Sequence, residues 1–403
     1  MSLRALVVEE NLRSRKGHQF QYAYALANSK SAGERLRIEF AVHRNAEYEV
    51  LSTFHAHPVF HRSRLEKNWF HQMPGFRYIS FLLHNFAVFR ALARHLRMSN
   101  GYDYIIFPTA SFHHILAAYF LQILFPEKAT RIVLFFVTQC TVWPDGLSAP
   151  VFELTSKLLS AELRLLRPFV RQKRTVLAVE TSCAQHEYQK LSGLPVGLWP
   201  HPVTTKSITR CKNTSSPIVF GSLGFARHEK GSDLLAKAIE HCLDEALFSD
   251  TRFVLQWGED FIGADGIRVS LSDRVRSDPR VTAIDSPLDE KAYSELLDSI
   301  SVLILPYRRS SYYGRLSRVS VEAACHGIPM IVTPETHLAH VVADMGAGLL
   351  MDKENVESLV VAMIRYLGCA LECTEQASLR VPRARTYYSP ENFLQTMMKS
   401  FEP

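Results

Sequence analysis

Short apolar runs alternate with amphipathic stretches along most of the chain. Runs such as Arg4–Val8 and Ile132–Val137 have the length of a buried strand and are rich in Val, Ile, Leu and Phe. Stretches such as His18–Ala27 and Glu290–Ser299 instead repeat apolar residues at helical spacing. Because strands that alternate with helices build βαβ units, the pattern predicts an α/β protein with parallel sheets. The other predicted strands are 37–42, 104–107, 176–179, 218–223, 253–257, 281–284, 301–305 and 330–333, and the other predicted helices are 79–97, 112–124, 152–166, 231–247, 319–326 and 356–367.

A segment rich in Pro and Gly interrupts this pattern in the middle of the chain. Residues 193–203 contain three prolines and two glycines, and the residues that follow are mostly polar up to Pro217. Such a composition is typical of a linker between domains. We therefore predict a first domain over residues 1–203, a second over 204–385 and a last helix within 386–403.

Charge is divided unevenly between the two halves. The chain has 403 residues, 47% of them hydrophobic and 21% charged, which is typical of globular proteins and excludes a disordered chain. Residues 1–200 hold 24 Lys and Arg against 14 Asp and Glu, whereas the remainder hold 22 against 26. The basic half predicts an anionic partner, and a membrane face, a phosphorylated substrate and nucleic acid all qualify. Nucleic acid ranks last, because the basic residues are dispersed and no recognition motif is present.

The sequence predicts a cytoplasmic protein. It has no uncharged apolar window long enough to cross a bilayer and no signal-peptide pattern at its start. Seven cysteines without a CxxC pair fit reduced thiols. The stretch Ile79–Arg97 is amphipathic and carries Arg90, Arg94 and Arg97, so it fits either a helix packed on a sheet or a helix at the inner face of an anionic membrane.

Two segments of the second half carry most of the chemistry. In the first, Phe220–Leu235, a strand leads into a loop with Gly224, the cations Arg227 and Lys230, and a helix that opens near Gly231. Glycine lets the backbone approach a ligand closely, and cations beside a helix N-terminus form an anion site. An ordinary strand–turn–helix with exposed cations gives the same pattern, so this segment alone is not decisive.

The second segment, residues 301–332, runs from a buried strand through a loop rich in Arg and Tyr into a helix and a further strand. Ser317 is a predicted N-cap, which would leave amides of the next turn available to an anion. Glu322 could accept hydrogen bonds from a diol such as ribose, or could cap a neighbouring loop.

Together, "LGFARHEKGSDLL" and "VEAACHGIPMIV" resemble the nucleotide-sugar half of GT-B glycosyltransferases, specifically glycosyltransferase family 4. The resemblance implies two Rossmann-like, doubly wound domains that face a central cleft, with the last helix crossing back to the first domain. It implies that Lys230 and Gly224 lie at the donor diphosphate and that Glu322 holds the ribose. It also implies that Leu316, Ser317 and Arg318 offer amides to the distal phosphate.

The chain departs from the family pattern at three positions. Gly314 stands where the family commonly has a second Glu, and Phe225 stands where an Arg is common, so that Arg227 would take its place. Gln139 stands where a His near the sugar is frequent. Acceptor or sugar contacts are expected at Gly17, His18, His113 and Gln139, although a structural role for the histidines is the alternative.

The implied activity is transfer of a sugar from a nucleotide-diphosphate donor to a glycan, lipid-linked or phosphorylated hydroxyl acceptor, as in the synthesis of a cell-envelope polysaccharide. Negative charge grows on the leaving diphosphate, so Arg227, Lys230 and Arg315 are the predicted catalytic groups. The resemblance further implies a hexosyltransferase-type enzyme that retains anomeric configuration and needs neither metal nor cofactor. His55, His57 and His61 lack a fourth partner at zinc spacing, so a surface or acceptor loop is favoured over a metal site. The alternative is a weak or inactive nucleotide-sugar-binding scaffold.

Overall fold

The computed structural model describes residues 2–15, 17–29, 35–63, 66, 77–144, 147–204 and 217–402. The chain divides into two compact units. Unit 1 comprises Met1–Val142, Pro150–Thr204 and Tyr388–Pro403, and unit 2 comprises Trp143–Ala149 and Thr205–Tyr387. None of the described helices is long and apolar enough to span a bilayer.

Strands and helices alternate as the hydrophobic pattern predicts. The strands are β1 (Leu3–Glu9), β2 (Leu36–His43), β3 (Ala56–Phe60), β4 (Tyr102–Ala110), β5 (Ala129–Phe136), β6 (Thr175–Val179), β7 (Val196–Leu198), β8 (Ile218–Ser222), β9 (Thr251–Gln256), β10 (Phe261–Ile262), β11 (Arg268–Val269), β12 (Val281–Ile284), β13 (Val302–Leu305), β14 (Met330–Val332) and β15 (Gly348–Leu350). The helices are α1 (His18–Ala27), α2 (Tyr48–Thr53), α3 (Arg77–Met98), α4 (Ile115–Leu124), α5 (Leu154–Leu165), α6 (Arg167–Arg171), α7 (Ser182–Ser192), α8 (Ser232–Asp244), α9 (Asp273–Ser277), α10 (Glu290–Ser299), α11 (Arg309–Tyr312), α12 (Arg318–His326), α13 (His337–Asp344), α14 (Val356–Tyr387) and α15 (Pro390–Lys399).

Unit 1 is built on a parallel sheet with the order β3–β2–β1–β4–β5–β6–β7. Its central strands are buried on both faces, as covered parallel sheets require. One apolar layer holds Leu92 of α3 and Leu121 of α4, and the other holds Phe20 of α1 with Phe393 and Met397 of α15. The last helix thus completes the core of unit 1.

Unit 2 repeats the architecture with the order β12–β9–β8–β13–β14–β15, again parallel throughout. Phe220, Phe248 and Phe253 are buried together on one face of this sheet, where Tyr366 of α14 packs against them. The predicted pair of doubly wound parallel sheets is therefore confirmed.

Several predicted boundaries are wrong, mainly at sheet edges. The segment 193–203, interpreted as linker, contains β7, which pairs with β6. The histidine-bearing segment around His57, interpreted as a surface loop, forms the edge strand β3. Helix α14 continues twenty residues beyond its predicted end at Leu367, with a kink at Cys369.

Candidate functional site

The candidate site of unit 2 lies where its strand order reverses. Strand β8 comes first in the unit, β9 continues on one side of it, and β13 lies on the other. Ligands of open α/β sheets bind beyond the carboxyl ends of the strands at this point. The loop after β8 carries Gly224, Arg227 and Lys230, and the segment after β13 carries Tyr307 and Arg315.

Lys230 lies directly over the backbone of Gly224. A Cβ atom on Gly224 would lie 2.5 Å from the Lys230 Nζ, and Gly224 has a φ of +80°. The Gly224 amide donates to the Gln256 Oε1 at 2.7 Å, which fixes the loop on the end of β9. On its other side the Lys230 Nζ is 6.0 Å from the centre of the Tyr307 ring. The Lys230 ammonium can therefore lie here only because residue 224 has no side chain.

The site concentrates positive charge. Burial, together with the neighbouring Arg227 and Arg315, lowers the pKa of Lys230 to about 8. The Arg227 side chain is 58% exposed, and the Arg315 guanidinium lies 5.1 Å from the Tyr312 ring centre. The three cationic groups repel one another. A bound polyanion would relieve this repulsion, so the arrangement is suited to binding one.

The N-terminus of α12 adds backbone donors on the same side of the sheet. Ser317 is the N-cap, and its hydroxyl accepts from the Ser320 amide. The first amides of a helix have no intrahelical acceptor and favour anions. Leu316 is buried, whereas the Arg318 guanidinium turns back to Glu322, so Arg318 contributes through its backbone.

Glu322 is almost fully buried and is held from two sides. Its Oε1 accepts from the Arg318 Nε at 2.8 Å, and its Oε2 accepts from the Tyr293 hydroxyl at 2.7 Å. Burial raises the pKa of Tyr293 well above its usual value, so this hydroxyl remains a donor. A carboxylate has about four lone-pair sites, so each oxygen can still accept a ligand hydroxyl.

Two of the positions that depart from the family pattern, Gly314 and Phe225, lie in unit 2. Gly314 is buried in the segment between α11 and α12. The Phe225 ring packs on the backbone of Gly258, where a Cβ would lie 2.5 Å from the ring. Asp285, at the end of β12, pairs with Arg276 at 3.1 Å.

The residues expected to contact acceptor or sugar belong to unit 1. Gly17 has a φ of 94° and precedes the first turn of α1, while the side chain of His18 lies outside the described residues. The His113 Nδ1 is 3.1 Å from the Ser111 hydroxyl, and its ring stacks on Phe112. The Gln139 Oε1 is buried and has no hydrogen-bond partner among the described residues.

His57 was predicted to lie in a surface or acceptor loop; its side chain is 40% exposed, and its Nε2 contacts the buried Glu39 at 2.9 Å. Glu39 also accepts from Arg4 and from the Tyr102 hydroxyl, at 3.0 Å each. His57 thus belongs to a polar network of the sheet. This network accounts for the residue without a metal.

Tyr293 and Gln256 hold Glu322 and Gly224 in place and were not predicted from the sequence. Both residues come from other βα units, at positions that no short motif singles out. The close approach of Gly231 to the end of β13 was not predicted either; there a Cβ would lie 2.0 Å from the Pro306 carbonyl oxygen. Gly231 has a positive φ of 63°, and the glycine itself was the only signal of this in the sequence.

Most of unit 2 matches the model of one known protein family. Residues 217–368 match the model of a family described as "Glycosyl transferases group 1". No curated protein sequence matches the chain.

Solved structures resemble the whole chain at low sequence identity. They include sucrose-phosphate synthase from Thermosynechococcus elongatus, with 15% identity, a TM-score of 0.61 and 98% of both chains covered. Anabaena HepE in complex with UDP-glucose has 13% identity, a TM-score of 0.60 and 99% of both chains covered. WaaG, a glycosyltransferase involved in lipopolysaccharide biosynthesis, has 16% identity and a TM-score of 0.57, with 98% of this chain and 99% of WaaG covered. The chain therefore has the GT-B fold, and within unit 2 residues 217–368 are similar to the group 1 glycosyltransferases.

Proposed function

We propose that this chain transfers a sugar from a UDP-sugar to a hydroxyl acceptor, with retention of configuration and without a metal at the diphosphate. The observation that carries the proposal is the placement of Lys230 over Gly224 at the strand-order reversal of unit 2, inside the family match. The structure of Anabaena HepE with UDP-glucose supports uridine as the base.

The donor would bind with its diphosphate among Lys230, Arg227 and Arg315. Amides of Leu316, Ser317 and Arg318 would meet the distal phosphate, and Glu322 would accept from the ribose hydroxyls. The buried setting of Lys230 supports this role, because a charge in a partly desolvated site interacts more strongly than in water.

In the reaction, the bond from the anomeric carbon to the diphosphate oxygen breaks and the electron pair stays on the diphosphate. The three cations and the α12 amides would stabilise the charge that develops there. Loss of one such donor typically raises a barrier by about 3–4 kcal/mol. The cations are sufficient in number to neutralise a diphosphate, which supports metal-independent transfer.

The acceptor would be a glycan, a lipid-linked sugar or a phosphorylated hydroxyl compound, with Gly17, His18, His113 and Gln139 in contact with acceptor or sugar. Retention follows from the family resemblance, and the anomeric proton coupling of the product tests it. A product of inverted configuration contradicts it.

Thermal melting against UDP, GDP, ADP and UDP-sugars tests the donor site. A ligand at 100 times its Kd stabilises its target by about 2.7 kcal/mol. Lys237 is an exposed lysine on α8, so Lys237→Ala serves as a control. We expect UDP to raise the Tm of the wild type and of Lys237→Ala, but not of Lys230→Ala. Absence of a shift with every nucleotide favours the alternative, an inactive scaffold. A UDP shift without hydrolysis or transfer of any UDP-sugar favours a sugar-binding protein.

The outer face of α3 supports a second element of the proposal, peripheral contact of unit 1 with an anionic membrane at the cytoplasmic face. Ile79, Leu82, Leu83 and Phe86 are between 45% and 59% exposed and follow one helical stripe. Further along the helix, three exposed arginines continue this surface: Arg90, Arg94 and Arg97. An apolar stripe next to basic residues is the pattern of helices that lie in the interface of anionic lipid.

The neighbouring helix extends this surface. Phe120, Ile123 and Leu124 of α4 are between 41% and 57% exposed, and the Phe120 ring lies 5.6 Å from that of Phe89 on α3. A lipid-linked acceptor would be concentrated at such a surface, which agrees with the acceptor class proposed above.

A further inference from the structure

Unit 1 has its own strand-order reversal, between β1 and β4, and a cluster of three ligand-type side chains lies there. Glu10 directly follows β1, His114 precedes the first turn of α4, and His84 comes from α3. Their side chains are 2%, 4% and 9% exposed, respectively. The donor site of unit 2 makes no use of these residues.

The three ligand atoms have the separations of a metal site. The Glu10 Oε2 is 2.9 Å from the His84 Nε2, and the Glu10 Oε1 is 3.7 Å from the His114 Nε2. All three groups lie within 4.8 Å of one another. Four tetrahedral bonds of 2.0–2.1 Å place neighbouring ligands about 3.3 Å apart, which falls between the two measured distances.

The donor set also fits a particular class of ion. Two imidazoles and one carboxylate form the protein ligands of catalytic zinc sites, which keep the fourth position for an exchangeable oxygen. Calcium and magnesium prefer sets made of oxygen alone, so two imidazoles disfavour them. The site is nearly closed to solvent, and its position at the strand-order reversal is one at which open α/β sheets bind ligands.

The competing interpretation is a buried carboxylate neutralised by two histidines. The Ser111 amide donates to the His114 Nδ1 at 3.2 Å, which leaves the proton of neutral His114 on Nε2, facing Glu10. Metal binding at Nε2 requires this proton to move to Nδ1. This requires the Ser111 amide to turn away from Nδ1, where the Ser111 hydroxyl, 3.3 Å away, can then accept the proton. The imidazole then keeps one proton, and the hydroxyl supplies the outer-shell partner that metal-bound histidines usually have.

We propose that Glu10, His84 and His114 bind a divalent transition-metal ion of the zinc class, with three protein ligands and one open position for a water or substrate oxygen. The site shares no residue with the donor site proposed in unit 2.

Zinc titration of the full chain tests the proposal after chelation and dialysis. We expect isothermal titration and metal analysis to give one tightly bound Zn²⁺ per chain. His84→Ala and His114→Ala should each weaken this binding by more than the 10–100-fold typical of a lost outer-shell partner. Glu10→Gln, which keeps the side-chain volume, should do the same.

Two control variants separate this site from adventitious binding. His186→Ala removes an exposed histidine of α7 that is not part of the cluster, and His57→Ala removes a half-exposed one on β3. Both should retain the tight Zn²⁺, and every variant should retain the UDP-induced rise in Tm. The proposal is overturned if the wild type binds no stoichiometric zinc, or if His84→Ala and His114→Ala bind it as tightly as the controls.

Discussion

The lack of a side chain at Gly224 determines where the Lys230 ammonium can lie. In Gly224→Ala, the new Cβ would lie 2.5 Å from the Lys230 Nζ, so the ammonium must move away from the loop. We expect the Kd for UDP to rise at least tenfold. Gly266→Ala is a matched control, because Gly266 also has a positive φ, +77°, but no atom within 4 Å of the new Cβ. Both changes carry the backbone cost of about 1–2 kcal/mol. Calorimetric titration that gives equal UDP affinities for the two variants would count against the arrangement described.

The depressed pKa of Lys230, about 8, predicts opposite pH effects on binding and on folding. In the proposed site UDP would bind the protonated amine, so its affinity should fall as the pH rises through 8. In the unfolded chain Lys230 keeps a proton up to its ordinary pKa near 10.5. The unfolded state therefore binds more protons between pH 8 and 10.5, and this group's contribution to stability rises with pH there.

Lys230→Arg serves as the control for that pH effect, because a guanidinium stays charged throughout the range. UDP affinity measured from pH 7 to 9.5 should fall for the wild type and stay nearly level for Lys230→Arg. Parallel curves for the two proteins would show that another group titrates.

Among the elements, we expect the N-cap of α12 to contribute both to the stability of the protein and to UDP binding. Ser317→Ala removes the acceptor of the Ser320 amide and should lower the free energy of unfolding by about 1 kcal/mol. Thr336→Ala removes the equivalent cap of α13, which accepts from the Ala339 amide at the same 3.4 Å. Both variants should melt earlier, but only Ser317→Ala should also weaken UDP binding. If Thr336→Ala weakens UDP binding equally, the α12 amides have no special role.

The strands of the two large sheets that the sequence failed to predict lie at sheet edges. Strands β3, β7 and β15 are edge strands, and they are short or carry residues such as Pro58 that a central strand would not tolerate. Central strands are buried on both faces and therefore leave a continuous apolar run, as Val302–Leu305 does. The local pattern thus predicts the middle of each sheet better than its borders.

The candidate site of unit 2 also divides into residues that a local pattern predicts and residues that it does not. Gly224, Lys230 and Glu322 lie in contiguous motifs, so the sequence predicts them. Tyr293 supports Glu322 from 29 positions away, through the packing of α10 beside α12. Glu10 and His84 are 74 positions apart and meet only because the strand order brings β1 and β4 together. Such pairings depend on topology, which no single segment encodes.

For the molecule as a whole, the uneven charge and the α3 surface make one joint prediction about membranes. The full chain should cosediment with vesicles containing anionic lipid, because each arginine near such a surface contributes about 1 kcal/mol. Phe86→Glu should reduce the bound fraction severalfold. Leu379→Glu, which changes an apolar residue of α14 that is 81% exposed, should not. Raising the salt from 0.1 to 1 M shortens the Debye length from about 10 to 3 Å and should release most of the bound protein. Equal binding of both variants would show that the α3 surface does not carry the membrane contact, and salt-independent binding would show that its arginines do not.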